Sequence, residues 1–317
     1  MSASLLIGLV DLDTSHPGSW IPILQDMGHQ VVGVYDGGTV WPAGYADRFA
    51  NEHAVPRVFH HLADMAQSVD VAIIHSCNWD LHLQRAEPFV RAGKGVLIDK
   101  PLVGNWRDAQ ALLDWASQGY RLFGGSSLRW SSEISRFLLE PEQERGRVHT
   151  AFVGCSVDDY NYGIHAYALL SSIMGSGAER VRYLGTATQK LVQVTWQDGK
   201  VGVLSIGAQP GYLPFYATVV TDRAVRHLEI DTHWIYRALL ETALPYLGGT
   251  ADYSPLPMCQ LLEPERVALA AKKSWLRHGA EIFLTDLSWE DEGYDGQSFA
   301  VEYQRMKLTG TENFRVY

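Results

Sequence analysis

Cysteine is scarce in this chain: three in 317 residues, at positions 77, 155 and 259. That number and spacing make neither a disulfide framework nor a C-x-x-C metal pair, and they suit a reducing, cytoplasmic setting. Positive charge is also short, with 26 Lys and Arg against 36 Asp and Glu and a net charge of −10. Nucleic acid and anionic membranes are therefore not expected as partners. Long apolar runs are missing too. The N-terminal one, within Met1 to Val10, has about six apolar residues and no basic flank, so neither a signal peptide nor a membrane span is expected. No internal repeat, low-complexity tract or Pro-rich linker interrupts the chain. What is present is material for cores: 46% hydrophobic residues, 11% aromatics and ten Trp in 35.4 kDa. The length is about twice a usual domain of roughly 100–150 residues, which predicts two closely packed domains.

The first third alternates short apolar strands with helix-period segments, the pattern of a doubly wound parallel sheet. Leu5 to Val10, Val31 to Tyr35, Val71 to Ile74, Val96 to Ile98 and Arg121 to Phe123 read as its strands. Between the last two, Asn105 can cap a helix carrying Trp106, Ala109, Leu112, Leu113 and Ala116, which ends at Gly119. Beyond about residue 123 the segments lengthen and alternate: Thr150 to Gly154, Leu191 to Trp196, Val201 to Ile206 and Tyr216 to Thr221. Asp198-Gly199 between two of them signals a hairpin and hence antiparallel pairing. Helices are expected over Ile164 to Met174 and Glu263 to Leu276. The predicted fold class is α/β: a Rossmann-like doubly wound parallel sheet over residues 1–122, followed by an α+β domain with a largely antiparallel open sheet over 123–317. Residues 288–317 are not assigned to any element.

The turn after the first strand decides how a dinucleotide could be held, because G-x-G-x-x-G there lets backbone approach a pyrophosphate at a helix N-terminus. Here it reads Asp11-Leu12-Asp13-Thr14-Ser15-His16, with Asp11, Asp13 and His16 at the glycine positions. A carboxylate about 4 Å from a phosphate costs on the order of 4 kcal/mol at an effective dielectric near 20, roughly a thousandfold in affinity. Asp13, Thr14 or Ser15 can cap the next helix, whose apolar face is Trp20, Ile21, Leu24 and Met27. Capping uses one acid and leaves the other. Asp11 and His16 can instead face the crevice at the sheet's carboxyl edge, toward a cationic group, a metal or a substrate hydroxyl. A metal would need a further ligand, nearest among His75, Cys77 and His82, and no tight ligand spacing supports one, so no metal is expected. Asp36 ends the second strand, where an acid can hold an adenosine ribose and favours NAD over NADP, or can simply serve the Asp36-Gly37-Gly38 turn.

Ala92-Gly93-Lys94-Gly95-Val96-Leu97-Ile98-Asp99-Lys100-Pro101-Leu102 resembles the Gfo/Idh/MocA family of glucose-fructose oxidoreductase and inositol dehydrogenase, marked by a strand ending Glu-Lys-Pro. His82 also sits where that family places a His, Tyr162-Gly163-Ile164-His165 is similar to its Gly-x-His segment, and Arg266 to Leu287 to its last helix and strand. The resemblance implies NAD(P)-linked oxidation of a hydroxyl on a small sugar-like, polyol or polar substrate, and a homo-oligomer formed through the C-terminal sheet. It implies Lys100 as positioning or proton-relay residue and His165 as general base. Cofactor contacts then fall to Asp11, Asp13, Ser15, His16, Asp36, Ser76, Asn78, Asp99 and Lys100, and substrate contacts to Lys100, Arg129, Asn161, Tyr162 and His165. The chain also departs from the family. Asn161 and Ala168 stand where acids usually flank the His, with Asp158, Asp159, Tyr160, Tyr162 or Tyr167 as substitutes, and Ser76-Cys77-Asn78 replaces Thr-Pro-Asn. Three readings follow: an NAD(P)-dependent oxidoreductase with an atypical phosphate loop; a redox-neutral enzyme abstracting a proton, eliminating or cyclising without a soluble dinucleotide; and a non-catalytic binding subunit.

Overall fold

The computed structural model describes residues 4–310, so residues 1–3 of the expected first domain and 311–317 of the second lie outside the described residues. Strands β1 (Leu6–Val10), β2 (Gln30–Tyr35), β3 (Val71–Ile74), β4 (Gly95–Ile98) and β5 (Leu122–Gly124) form a five-stranded parallel sheet in the order β2-β1-β3-β4-β5. The order reverses at β1, which pairs with β2 on one side and β3 on the other. Such a switch opens a crevice beyond the strands' carboxyl ends, where ligands of open α/β sheets bind. β3 and β4 are buried throughout, as continuous β-branched runs covered on both faces should be.

Helices of ten residues or more are labelled α1 (His16–Asp26), α2 (His82–Arg91), α3 (Trp106–Ser117), α4 (Gly163–Met174), α5 (Ile235–Leu247), α6 (Glu263–Leu276) and α7 (Gly296–Thr309). The Asn105 side chain accepts the Asp108 N–H and caps α3, as its position predicts. Among the described residues, none of these helices is long and apolar enough to cross a membrane.

The second sheet has seven strands: β6 (Val148–Gly154), β7 (Ala178–Thr186), β8 (Lys190–Trp196), β9 (Val201–Ile206), β10 (Tyr216–Thr221), β11 (Val225–Glu229) and β12 (Ile282–Phe283), in the order β11-β10-β6-β9-β8-β7-β12. Every pairing is antiparallel except β6 with β9. The Asp198-Gly199 hairpin joins β8 to β9, with Gly199 at φ 85 in the left-handed region such a turn requires. α4, buried along its whole length, and α6 back this sheet.

Two features extend the sequence reading. α5 carries Leu239, Leu240, Ala243, Leu244 and Leu247 into the core of the first sheet, joined by Met258, Leu261 and Leu262. α5 packs on β4 and β5, and a Cβ on Gly95 would lie 2.4 Å from the Leu247 carbonyl oxygen, so only glycine allows that approach. The unassigned stretch after residue 288 holds α7, capped by the Asp295 side chain accepting the Ser298 N–H.

Candidate functional site at the carboxyl edge of the first sheet

Asp11 has φ 59, the left-handed conformation that a glycine would adopt without strain, so the turn keeps a glycine-type backbone while carrying an acid. Its fully buried carboxylate accepts the Gly37 N–H at 2.8 Å and the Ser76 hydroxyl, and pairs with Arg85 Nε at 2.9 Å. Those three donors form an anion cradle, and the chain's own carboxylate fills it. The turn as it stands therefore does not fit a dinucleotide pyrophosphate, which would need the space and the donors that Asp11 holds.

Asp13 does not cap α1. Its Oδ2 accepts the Cys77 N–H at 2.9 Å, tying the first turn to the loop after β3. Thr14 Oγ1 accepts the His16 N–H at 3.2 Å, and Ser15, at the N-cap position, makes no side-chain cap bond. A partner across the crevice has outcompeted the local capping geometry. Burial, then the neighbouring Asp11 charge, push Asp13 up to about 7, and its Oδ1 is buried without a hydrogen-bond partner.

α7 lies over the same edge. Asp80 accepts the Gly296 and Gln297 N–H groups at 2.9 and 3.1 Å, Asn78 Nδ2 donates to Gln297 at 2.8 Å, and Gln304 donates to the Val40 carbonyl at 3.3 Å. Ala300, Phe299 and Tyr303 pack with Val40, Trp41 and Cys77, and Trp41 donates to the Leu12 carbonyl at 2.8 Å. The helix thus spans from the loop after β2 to the loop after β3, the path an adenosine diphosphate takes across a Rossmann sheet.

On the other side of β1 the loops bring His16, His75 and Asp99 together. His16 Nδ1 lies 2.5 Å and His75 Nδ1 3.0 Å from Asp99 Oδ2, while Asp99 Oδ1 accepts the Lys100 N–H at 2.8 Å. Burial by itself would raise the Asp99 carboxyl; the two imidazoles more than offset it and hold it well below its ordinary value. Lys100 reaches into the second domain, its Nζ donating to the Asn161 carbonyl at 3.0 Å and side-chain oxygen at 2.9 Å. Burial lowers its pKa, opposed by Asp99 and Asp158. His165 Nδ1 is 2.7 Å from Ser126 Oγ. Burial first, then the charges of Lys100 and His16, hold His165 well below its ordinary pKa, so it is neutral near pH 7.

The other expected site residues separate. Tyr162 stacks on Phe215 beside His165 and lies 5.5 Å from Lys100 Nζ. Asp158 accepts the Tyr160 and Tyr162 N–H groups at 2.9 Å and shapes the loop that presents Asn161. Asp159 pairs with Lys190 and Tyr160 donates to the Val103 carbonyl. Asp36 accepts the Gly38 N–H at 3.2 Å in its own turn. Arg129 donates to the Gln260 carbonyl at 3.4 Å on the side of Glu263 and Glu265. His82 is a buried strut between the Leu102 and Ser76 carbonyls, and Cys77 is taken up by Asp13 and α7, so His75 alone of the three further metal candidates meets the crevice cluster. Sequence reasoning missed Arg85, Ser126 and Tyr236, whose ring lies 5.0 Å from that of His16. Only Arg85 had a usable signal, a cation at helical spacing from His82.

Glu265 ties the Lys-Pro segment to α6 by accepting the Leu102 N–H at 3.0 Å. Burial pushes its pKa from 4.5 up to about 7. The native state therefore holds a proton that the unfolded chain releases, and this stabilisation is present below pH 4.5 and lost as pH rises through 7. Over that window stability should fall by on the order of 3 kcal/mol from this group. Urea unfolding at several pH values should show the slope in the native protein and a flatter profile in Glu265→Gln; equal slopes would refute it.

Residues 7–123 match the family described as "Oxidoreductase family, NAD-binding Rossmann fold", Gfo/Idh/MocA. The first domain therefore carries the sequence pattern of that family's NAD-binding domain. A protein of Salmonella typhimurium provisionally named oxidoreductase YceM is 31% identical over 116 residues, 36% of this chain and 36% of its own length. Thus the match spans about a third of that relative. GenD2 from gentamicin A biosynthesis, solved in complex with NAD, superposes with a TM-score of 0.73 at 16% identity over 89% of this chain and 97% of its own. Scyllo-inositol dehydrogenase from Lactobacillus casei, solved with NAD(H) and scyllo-inositol, gives 0.74 at 14% identity over 90% and 100%. The two sheets and the helices that cover them therefore share the fold of these two structures.

Proposed function

We propose that the protein is an oxidoreductase acting on a hydroxyl group of a small polyol-like or otherwise polar substrate in the crevice between the two sheets. The observation that carries this reading is the convergence of Lys100 and His165, a partly buried ammonium and a neutral imidazole offered from the two domains. Lys100 holds the reacting oxygen by hydrogen bonding and lowers the cost of its losing a proton. His165 takes the proton at Nε2, in the tautomer that donates its Nδ1–H to Ser126. A nicotinamide dinucleotide would supply the hydride acceptor, with NAD favoured by Asp36, once Asp11 yields the anion cradle. Replacing Lys100 with Met should lower kcat/KM by about 10²–10⁴-fold while leaving the circular dichroism unchanged; full activity across a polyol panel would overturn its role.

One observation favours a second reading, redox-neutral proton abstraction, elimination or cyclisation: the filled cradle and the overlying α7 leave no path for a dinucleotide without rearrangement. Titration with NADH and NADPH, followed by nicotinamide fluorescence, separates the two. Saturable binding supports the oxidoreductase; none at millimolar concentration leaves the redox-neutral enzyme. A cytoplasmic homo-oligomer completes the proposal. Phe152 on β6, Val220 on β10 and Val225 on β11 expose apolar surface on adjoining strands of the second sheet. Light scattering should find a multimer that Phe152→Lys with Val220→Lys reduces to monomer.

A further inference from the structure

We propose that His16, His75 and Asp99 form a binding site for a divalent first-row transition metal, open toward the crevice. The proposal goes beyond the functional reading above and does not depend on it, since it concerns what the protein binds before any substrate arrives.

The three residues come from the first position of α1, the residue after β3 and the residue after β4, so three neighbouring carboxyl ends of the sheet place them on one point. One ligand atom from each lies within 4.8 Å of the others. Two imidazoles and one carboxylate are a donor set used for zinc, iron, cobalt and manganese, and three protein ligands with an open side are the pattern of sites that leave a position for substrate or water. The closed side is built: His75 is 1% exposed and Asp99 5%, whereas the His16 side chain is 15% exposed. The rings are also fixed by packing. His16 stacks parallel to Trp20 at 6.0 Å and touches Tyr236, and His75 meets Trp20 edge-to-face at 4.8 Å. Asp99 is oriented by the Lys100 N–H on its other oxygen, the kind of outer contact that steadies a ligating carboxylate.

A hydrogen-bonded His-Asp-His chain accounts for the same contacts less completely. It directs two Nδ1–H donors at one oxygen and gives both rings a bare Nε2. That of His75 is buried with no hydrogen-bond partner, at a cost of about 1–3 kcal/mol. With a metal among the three, the Nδ1 lone pairs are used and His75 Nε2 carries a proton toward its aromatic surroundings, where an N–H is tolerated better than a lone pair. In the tetrahedral arrangement usual for zinc, bonds of about 2.1 Å set ligand atoms about 3.4 Å apart. Asp99 Oδ2 lies 3.0 Å from His75 and 2.5 Å from His16, so the cluster must open by a few tenths of an ångström at His75 and by roughly 0.9 Å at His16, the least buried of the three.

The full-length protein, stripped with chelator and dialysed, is titrated with Co²⁺ while visible d–d absorption is recorded, and with Zn²⁺ by calorimetry. One equivalent of each should bind, with the Co²⁺ bands displaced by Zn²⁺ and a higher melting temperature in the loaded protein. Asp99→Asn and His75→Ala should weaken binding at least a hundredfold. His16→Ala, which removes a partly exposed ligand and spares the core, should do the same should either of those fail to fold. His233→Ala and Cys259→Ser, exposed residues outside the His16, His75 and Asp99 cluster, should bind as the native protein does. Absence of stoichiometric binding, or binding that survives His16→Ala, would overturn the site.

Discussion

Arg85→Leu should lower the unfolding free energy by about 3–5 kcal/mol, the usual effect of stranding one member of a buried ion pair. Asp11 is fully buried and Arg85 is its only charged partner among the described residues, the other two contacts being the Gly37 amide and the Ser76 hydroxyl. Removing the guanidinium leaves a carboxylate that neither neutral donor compensates. The double variant Asp11→Gly with Arg85→Leu should regain most of the loss, because the pair goes together and glycine suits the backbone at φ 59. A double-mutant cycle by urea unfolding reads the coupling. Two single variants that each cost under 1 kcal/mol, with additive effects, would show that the pair contributes little.

The second large effect concerns the same carboxylate seen from the cofactor's side. Asp11→Gly should strengthen NADH binding by about tenfold to a thousandfold, the upper end being the electrostatic cost of a carboxylate beside a diphosphate. Arg85, the Gly37 N–H and the Ser76 hydroxyl are then free to meet a phosphate. The full gain is expected when the chain also stops before Asp295, since α7 covers the loops after β2 and β3. Fluorescence titration measures both. No gain in either variant would mean that the acids of this turn are not what limits the cofactor.

Much of the scaffold was legible because parallel strands buried on both faces are written as short continuous runs, as in Val71 to Ile74, and because Asp198-Gly199 and Asn105 act over a few residues. The roles proposed for Lys100 and His165 rest on the motifs around them. The crevice was less legible for a different reason: its interactions cross between loops. Asp13 prefers Cys77, 64 residues away, to the cap three residues off, and local spacing has no term for that. His16, His75 and Asp99 look unrelated along the chain and meet only through strand order. α7 did leave a trace in Asp295, Ser298 and the Phe299, Ala300, Tyr303 stripe. α5 left a clearer one in Leu239, Leu240, Ala243, Leu244 and Leu247, yet nothing local says which of two sheets it will cover.

That choice of sheet makes the molecule hard to take apart. A fragment ending at residue 122 would lack α5 and the Met258 to Leu262 segment, and so would lay bare the face of β4 and β5 that they cover. The chain passes from the first unit to the second and back, like a belt threaded through both. Grafting the second unit of a relative onto this first one would therefore exchange part of the first unit's interior as well. An exchange of halves would thus disturb both interiors at once.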